Sequence, residues 1–307
     1  MNAAVAVAST RTLAGRGRDW RGLLFEGVLL VSLLLSLLVL VALLVDQASR
    51  GLPVLLDRGT DFLTAPLSSN PAKAGVGQGI VGSFLICLLV ALIAFPVGIT
   101  TAVYLEEYAP DTRLTRAVAL NIRNLAGVPS IVFGLLALTI YVAAFDALGF
   151  PNSGRNLIAG ALALASLVLP IVIITAAEAI KAVPSTIREA GYGVGASRWQ
   201  VTQKLVLPSA FAGILTGTIL SISRALGETA PLLLAGAVLG SFSNGGGVAL
   251  LFTGPYTVLP MVVYSWAGRP QAEFRELTSA AILVLLAVTL LANGIAIFLR
   301  NRYEQKW

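Results

Sequence analysis

Two side chains of opposite charge lie four residues apart in an otherwise apolar stretch. They are Arg224 and Glu228, in the segment SRALGETAPLLLAG, residues 223 to 236. One charge at the centre of a bilayer costs roughly 2.5 to 3.5 kcal/mol on insertion scales, so two charges need mutual pairing or a hydrated, functional surrounding. Ionisable groups inside membranes are usually functional, which favours a transport pathway over a pair that only neutralises itself between packed helices.

The composition places this stretch in a membrane protein. Of the 307 residues, 57% are hydrophobic and 12% are charged, and the mean hydropathy is +0.86. An average soluble domain is about a quarter charged. The net charge of +6 is scattered between apolar runs. Without a basic patch and interleaved aromatic residues, nucleic acid is not expected as a partner.

Metal and disulfide chemistry are not expected in this chain. The sequence has no histidine and a single cysteine, Cys87, inside an apolar run. An intrachain disulfide and a cysteine-based metal site are therefore excluded, and the commonest metal ligand and general base is missing.

Six apolar runs are long enough to cross a bilayer, which takes about 20 helical residues. The first follows several arginines but is too long for the apolar core of a signal peptide, so we interpret it as a retained helix. The six predicted spans lie near residues 23–45, 80–104, 125–145, 157–179, 211–236 and 279–299.

The distribution of Lys and Arg predicts the orientation. Most of the 21 basic residues lie at the two termini and in the second and fourth connections, so both termini of this multi-pass membrane protein are predicted to be cytoplasmic. The predicted organisation is a cytoplasmic segment 1–22, a first transmembrane helix with its outer loop 23–74, a transmembrane domain 75–300 and a cytoplasmic tail 301–307.

A seventh apolar stretch, within 237–279, is not expected to span. Pro255 and Pro260 interrupt it, and an odd number of spans would place the basic C-terminus outside. We predict a short extracytoplasmic structure there, with three aromatic residues near the lipid headgroups: Tyr256, Tyr264 and Trp266.

The inner loop 178–208 is patterned as a helix-turn-helix elbow. Pro184 is suited to start a helix, and the glycines at 191, 193 and 195 are expected to break it. A second short helix is predicted from Trp199 to Leu207, ending at Pro208. The alternative is an amphipathic helix that rests on lipid.

The elbow sequence EAGYGVGASRWQVTQKLVLP resembles the EAA loop of ABC importer permeases. The matching residues are Glu189, Ala190, Gly195, Leu207 and Pro208, while Gly191 and Leu205 replace Ala and Ile of that motif. In that family the loop forms coupling helices that dock into a separate ATPase subunit. The resemblance therefore implies that these positions couple the chain to ATP hydrolysis.

Three further stretches narrow the resemblance. AFPVGITTAVYLEEYAP, NLAGVPSIVFGL and RALGETAPLL are similar to the A-type permease subunits of phosphate-specific importers, over most of 75–299. This implies an all-α integral membrane protein with six transmembrane helices, the type I ABC importer permease fold and cytoplasmic coupling helices. It also implies three partners: a C-type permease subunit, an ABC ATPase dimer and an extracytoplasmic phosphate-binding protein.

ATP and Mg²⁺ are expected in the partner ATPase and not in this chain. The sequence contains no Gly-x-x-x-x-Gly-Lys-Ser/Thr loop, so the chain is not expected to be an enzyme or to hold a cofactor.

The candidate pathway residues lie along the fifth predicted span. The spacing of Gly217, Ser221, Arg224, Glu228 and Pro231 places them on one stripe of a continuous helix. Thr229 adjoins the stripe and completes the set. Arg gives a phosphate two parallel hydrogen bonds, and an ionised Glu accepts a hydrogen bond from P–OH, which fully deprotonated sulfate lacks.

The charged residues outside the fifth span and the elbow give weaker indications of function. Relatives often carry a basic residue where this chain has Ile174, and Arg123 is either a substitute for it or an anchor at the inner membrane surface. Glu106 and Glu107 are expected in a solvated loop, paired with Arg113 and Arg116. Two alternative functions are a secondary anion transporter driven by an ion gradient and an ABC permease for a different oxyanion.

Overall fold

The computed structural model describes residues 20–237 and 252–303. All regular secondary structure in these ranges is helical. Six helical stretches in this part of the chain are long and apolar enough to cross a membrane: Trp20–Thr64, Gly77–Tyr108, Ser130–Ala147, Asn152–Lys181, Arg198–Gly227 and Ala272–Arg302. The predicted all-α fold with six membrane helices is confirmed.

The chain divides into two compact units, residues 1–49 and residues 50–307. Helix α1, Trp20–Thr64, begins in the first unit and ends in the second. In the first unit its side chains from Trp20 to Val45 are exposed and mostly apolar, as expected for a helix that faces lipid. Most of the predicted cytoplasmic segment 1–22 lies outside the described residues, as does residue 304 onward of the predicted tail.

The second unit is built around helix α6, Leu157–Lys181, the most buried of the six candidate spans. Helices α2, Gly77–Val103, and α9, Leu207–Gly227, pack against it. A Cβ added at Gly213 of α9 would lie 2.7 Å from the Cβ of Ala179 in α6, and one at Gly217 would collide with Thr175. The two glycines therefore allow the close approach expected of small residues, and the neighbour is a helix of the same chain.

Between α2 and α9 the chain forms shorter elements. An amphipathic helix α3 precedes the third span, which consists of α4, a π-helical segment and α5. The bounds are α3 Arg113–Leu125, α4 Ser130–Leu136, the π segment Ala137–Val142, α5 Ala143–Ala147, a 3₁₀ turn Asn152–Gly154, α7 Ser185–Gly193 and α8 Arg198–Val201. Two more π-helical turns, Tyr104–Tyr108 and Thr202–Val206, follow α2 and α8.

The fifth span is not one continuous helix, contrary to the prediction for 211–236. Helix α9 ends at Gly227, Glu228 has extended backbone angles (φ −81°, ψ 125°), and a short helix α10, Ala230–Leu234, follows. Pro231 lacks the N–H that would bond the carbonyl of Gly227, and its ring would clash with that carbonyl. The predicted stripe therefore stops within α9.

The described part of the predicted non-spanning segment contains one short helix, as expected. Helix α11, Leu259–Ala267, has nine residues, and at 1.5 Å per residue it is too short to cross a bilayer. The last helix, α12, spans Ala272–Tyr303. The part of the predicted non-spanning segment at 238–251 lies outside the described residues.

Two of the three aromatic residues predicted near headgroups are core residues. Tyr256 and Trp266 are 0% and 1% exposed, whereas Tyr264 is exposed. The Trp266 ring lies 6.3 Å from the ring of Phe62 and 5.7 Å from that of Phe274, measured between centroids. The prediction was wrong for these two because distant segments cover them, and burial of a large aromatic side chain stabilises a core strongly.

Candidate functional site

Arg224 and Glu228 form the ion pair that their spacing suggests. Nε of Arg224 lies 3.3 Å from Oε1 of Glu228, and the side chains are 39% and 18% exposed. Arg224 is in the last turn of α9, where carbonyls lack helical partners and the helix dipole favours a cation. The break after Gly227 leaves Glu228 beyond the helix end yet within reach. Each side chain keeps enough exposure to meet a third group.

The other two predicted pathway residues are placed differently. Ser221 is fully buried, and its hydroxyl donates to the carbonyl of Gly217 over 2.9 Å, inside α9. Thr229 is half-buried at the start of α10. The structure thus brings Arg224 and Glu228 together, while the hydroxyl of Ser221 is already occupied by its own helix.

A polar link close to the pair was missed from the sequence. Ser223 in α9 is hydrogen-bonded to the side chain of Asn293 in α12 and also donates to the carbonyl of Ile219 over 2.8 Å. Asn293 stands in the apolar run of the last span, and a lone amide in such a run often hydrogen-bonds another helix. The sequence alone could therefore have indicated that Asn293 contacts another helix.

The predicted elbow is present as helix α7, a tight turn and helix α8. Helix α7 begins directly after Pro184, as predicted, and the turn contains Gly195 with a φ of +83°, in the left-handed region that favours glycine. The prediction that glycines 191 and 193 break the helix is wrong, because both lie inside α7. The turn therefore depends on Gly195.

Gly191 has a packing role in the elbow. A Cβ at this position would lie 2.8 Å from Leu205 and from Val201, closer than carbon atoms pack. Both neighbours belong to the second arm of the elbow, in α8 and the π-helical turn that follows it. This contact explains why glycine stands here where the EAA motif has alanine.

The second arm of the elbow continues into the membrane span. Ser197 and Gln200 form a reciprocal capping box at the start of α8, and helical structure then runs from Arg198 to Gly227. The predicted end at Pro208 is wrong. The π-helical turn Thr202–Val206 widens the backbone just before Pro208, which relieves the clash that a proline causes in a regular α-helix.

Apolar side chains are exposed at the tip of the elbow. The exposed fractions are 45% for Tyr192, 85% for Val194 and 58% for Trp199. Aromatic residues of this kind are common anchors of protein interfaces.

A buried ion pair at the base of the elbow was not predicted. Glu107 is 5% exposed, and its Oε1 accepts hydrogen bonds from Nη2 of Arg188 at 2.7 Å and from Nε at 3.1 Å. The expectation of a solvated loop is wrong for Glu107. Glu106 is exposed as expected, but it lies in the π-helical turn Tyr104–Tyr108. Arg116 pairs with Asp111 at 3.1 Å and is exposed. Glu107 and Arg188 are 81 residues apart, so no local pattern could have paired them.

The region around Ile174 contains a cavity of about 410 Å³ between α3 and α6. Arg123 lines it, and its Nη2 lies 3.7 Å from Oε1 of Glu178, with both side chains more than half exposed. Arg123 is therefore close enough to Ile174 to share the cavity, but it already has a carboxylate partner.

Residues 94–305 match the family described as the binding-protein-dependent transport system inner membrane component. The chain belongs to this family.

Two relatives are similar over nearly their whole length. The probable phosphate transport system permease protein PstA of Methanocaldococcus jannaschii is 31% identical over 276 residues, which cover 89% of each chain. The phosphate transport system permease protein PstA of Xylella fastidiosa is 35% identical, with 83% of this chain and 84% of the relative covered.

A solved structure confirms the fold. The bacterial alginate ABC transporter, crystallised with an alginate-bound periplasmic protein, contains a chain that superposes with a TM-score of 0.62. The match covers 93% of this chain and 98% of that chain at 14% identity. The predicted ABC importer permease fold is therefore confirmed.

Proposed function

We propose that this chain is the permease subunit of an ATP-driven importer of inorganic phosphate, in which it forms half of the translocation pathway. The observation that carries the proposal is the partly exposed pair of Arg224 and Glu228 at the break in the fifth span. The names of the two relatives support phosphate as the substrate.

The chemistry of the pair suits a singly or doubly charged phosphate. The planar guanidinium of Arg224 can give an oxyanion two parallel hydrogen bonds. Glu228 accepts hydrogen bonds only, so it can receive one from the P–OH group that phosphate retains near neutral pH. An anion without a proton, such as sulfate, would meet only repulsion from Glu228. Thr229 completes the proposed pathway set, while the buried Ser221, whose hydroxyl is bonded within α9, belongs to it by position only.

ATP hydrolysis is supplied by another subunit in this proposal. The elbow docks on an ABC ATPase dimer through its exposed apolar tip, with Gly195 forming the turn and Glu189, Ala190, Gly191, Leu207 and Pro208 shaping the two arms. The further partners are a second, C-type permease and an extracytoplasmic phosphate-binding protein. ATP and Mg²⁺ bind in the ATPase dimer, and this chain holds no cofactor.

The orientation follows from the charge distribution. Both termini and the elbow face the cytoplasm of a bacterial cell, because the connections that precede and contain the elbow are rich in Lys and Arg. The ATPase then meets the elbow from inside, and the binding protein meets the opposite face.

Uptake by proteoliposomes that contain the full complex tests the proposal. Replacing both charges, Arg224→Gln with Glu228→Gln, should leave subunit abundance unchanged, because a neutral pair costs less than a single unpaired charge in a low-dielectric region. ATP-dependent uptake of labelled phosphate should nearly vanish. The matched control is Arg116→Gln, which removes an exposed arginine of α3 that pairs with Asp111 and should leave uptake intact.

Three results would contradict the proposal. Wild-type phosphate uptake by the double mutant would leave Arg224 and Glu228 as structural groups only. Uptake that proceeds without ATP under an imposed ion gradient would instead support a secondary transporter, and equal uptake of sulfate would remove the selectivity assigned to Glu228.

A further inference from the structure

The π-helical turn Tyr104–Tyr108, at the end of α2, is held by both arms of the elbow. Arg188 of α7 donates two hydrogen bonds to the buried carboxylate of Glu107. From the second arm, the guanidinium of Arg198 lies over the ring of Tyr108, 5.1 Å from its centroid. One short turn therefore receives a contact from each coupling helix.

Arg188 also closes the end of α6. Its Nη1 donates to the carbonyl of Val183 at 2.7 Å, and its Nη2 donates to that of Ile180 at 2.9 Å. Carbonyls in the last turn of a helix have no helical partner, so a charged donor there is favourable. One guanidinium thus joins three elements: the last turn of α6, helix α7 and the π-helical turn after α2.

The contact between Glu107 and Arg188 has the properties of a rigid connection. The carboxylate of Glu107 is nearly inaccessible to water and Arg188 is only 21% exposed, so salt and solvent screen the pair little. Charge-assisted hydrogen bonds are also about twice as strong as neutral ones. A displacement of α7 must therefore carry the end of α2 with it, or break the pair and leave a carboxylate buried without its partner.

We infer that Glu107 and Arg188 are positioning residues that make the elbow and the cytoplasmic end of α2 move as one body, so that α2 receives the movement of the ATPase directly. This inference rests on the proposed function, because it needs an ATPase that moves the elbow. It adds the route by which that movement enters the membrane: through the π-helical turn, in addition to the chain connections of the elbow to α6 and α9.

Glu107→Gln tests the positioning role of the pair while a side chain of the same size stays in place. Glutamine keeps the shape and one acceptor oxygen, so the complex should assemble, but the ion pair with Arg188 is lost. Phosphate taken up per ATP hydrolysed should fall about tenfold, the ratio that corresponds to roughly 1.4 kcal/mol. The matched control is Glu106→Gln, which removes the neighbouring, exposed carboxylate of the same turn and should leave this ratio unchanged.

A distance measurement separates coupling from a merely structural role. In a Cys87→Ser background, spin labels at Val97 in α2 and Thr186 in α7, both exposed, report the separation of the two elements. In the assembled complex with the native pair, this separation should be the same in the nucleotide-free state and in a state trapped with ATP and vanadate. In Glu107→Gln it should differ between the two states.

Each outcome is decisive. A separation that changes with nucleotide in the presence of the native pair would overturn the rigid connection. A separation that stays constant in Glu107→Gln as well would overturn the role of this pair, as would an unchanged ratio of uptake to hydrolysis. If the native complex failed to import phosphate, the proposed function would fail, whereas the spin-label distances would still test the connection because trapping needs no phosphate.

Discussion

Two arginine–glutamate pairs of this chain have the same chemistry and different settings. Arg188 and Glu107 are 81 residues apart in sequence, meet at 2.7 Å and are largely buried. Arg224 and Glu228 are four residues apart, meet at 3.3 Å and keep part of both side chains exposed. The first pair also binds two helix-terminal carbonyls, whereas the second has one contact between its side chains.

These differences indicate that the buried pair is a rigid connection between elements, whereas the partly exposed pair can open and bind another group. Removing one member of a buried pair leaves an uncompensated charge, so the native pair is costly to separate. A local, partly exposed pair contributes little to stability and can be opened at small cost. Arg224 can therefore release Glu228 to meet an anion, while Arg188 is held in place by three acceptors.

Truncating the arginine of each pair to alanine should produce the largest difference between the two pairs, in subunit stability and in phosphate uptake. Arg188→Ala leaves the buried carboxylate of Glu107 without its partner and removes one donor from each of two carbonyls, so it should lower the stability of the subunit by about 3 kcal/mol or more. Arg224→Ala should change stability much less but abolish phosphate uptake. Thermal unfolding in detergent and immunoblots of membrane fractions measure the first effect, and proteoliposome uptake measures the second. Equal loss of stability in both variants would contradict the distinction.

A smaller effect is expected from the glycines next to each pair. Gly191→Ala forces a Cβ against Leu205 and Val201 and should destabilise by about 1 to 3 kcal/mol, as overpacking usually does. Gly227→Ala, at the end of α9, meets no atom within 4 Å and should be neutral or slightly stabilising. Comparison of their unfolding temperatures is the test. A loss in Gly227→Ala as large as that in Gly191→Ala would mean that the break is as tightly packed as the elbow.

A substitution at Gly195, in the turn of the elbow, should destabilise the subunit by a similar amount, in this case through backbone strain. Gly195→Val places a β-branched residue at a φ of +83°, which costs about 1 to 3 kcal/mol. Since nothing lies within 4 Å of Gly195, the strain should distort the turn and weaken capture of the ATPase without a clash. Gly193→Ala, in the adjacent helix and equally uncrowded, is the control. Normal copurification of the ATPase with Gly195→Val would argue against the turn as part of the dock.

The smallest effect is expected at the exposed pair of Arg116 and Asp111. With both side chains at least 70% exposed, Arg116→Gln should change stability by no more than about 0.5 kcal/mol and leave uptake intact. The unfolding temperatures of the native subunit and of Arg116→Gln, compared at low and high salt, measure this stability change. A marked loss would show that exposure is a poor guide to the value of ion pairs in this chain, which would also weaken the contrast between the two pairs above.

The sequence by itself determined the features that local patterns encode. Six apolar runs required six membrane helices, because each must satisfy its own backbone hydrogen bonds in lipid. Pro184 determined the start of α7, and the spacing of Glu189, Gly195 and Pro208 indicated the elbow. The four-residue separation of Arg224 and Glu228 suggested that they meet, and they do, although the helix ends between them at Gly227.

Only the tertiary structure decided which side chains are covered. Glu107 looks like any exposed loop carboxylate in the sequence, and its burial depends on Arg188, which reaches it from a helix 81 residues away. Tyr256 and Trp266 likewise become core residues because separate segments close over them. Burial depends on packing between elements that are distant in the chain, and the free energy of a charge or an aromatic ring depends on burial. Sequence periodicity reports the face of a helix, but not the neighbour that will cover it.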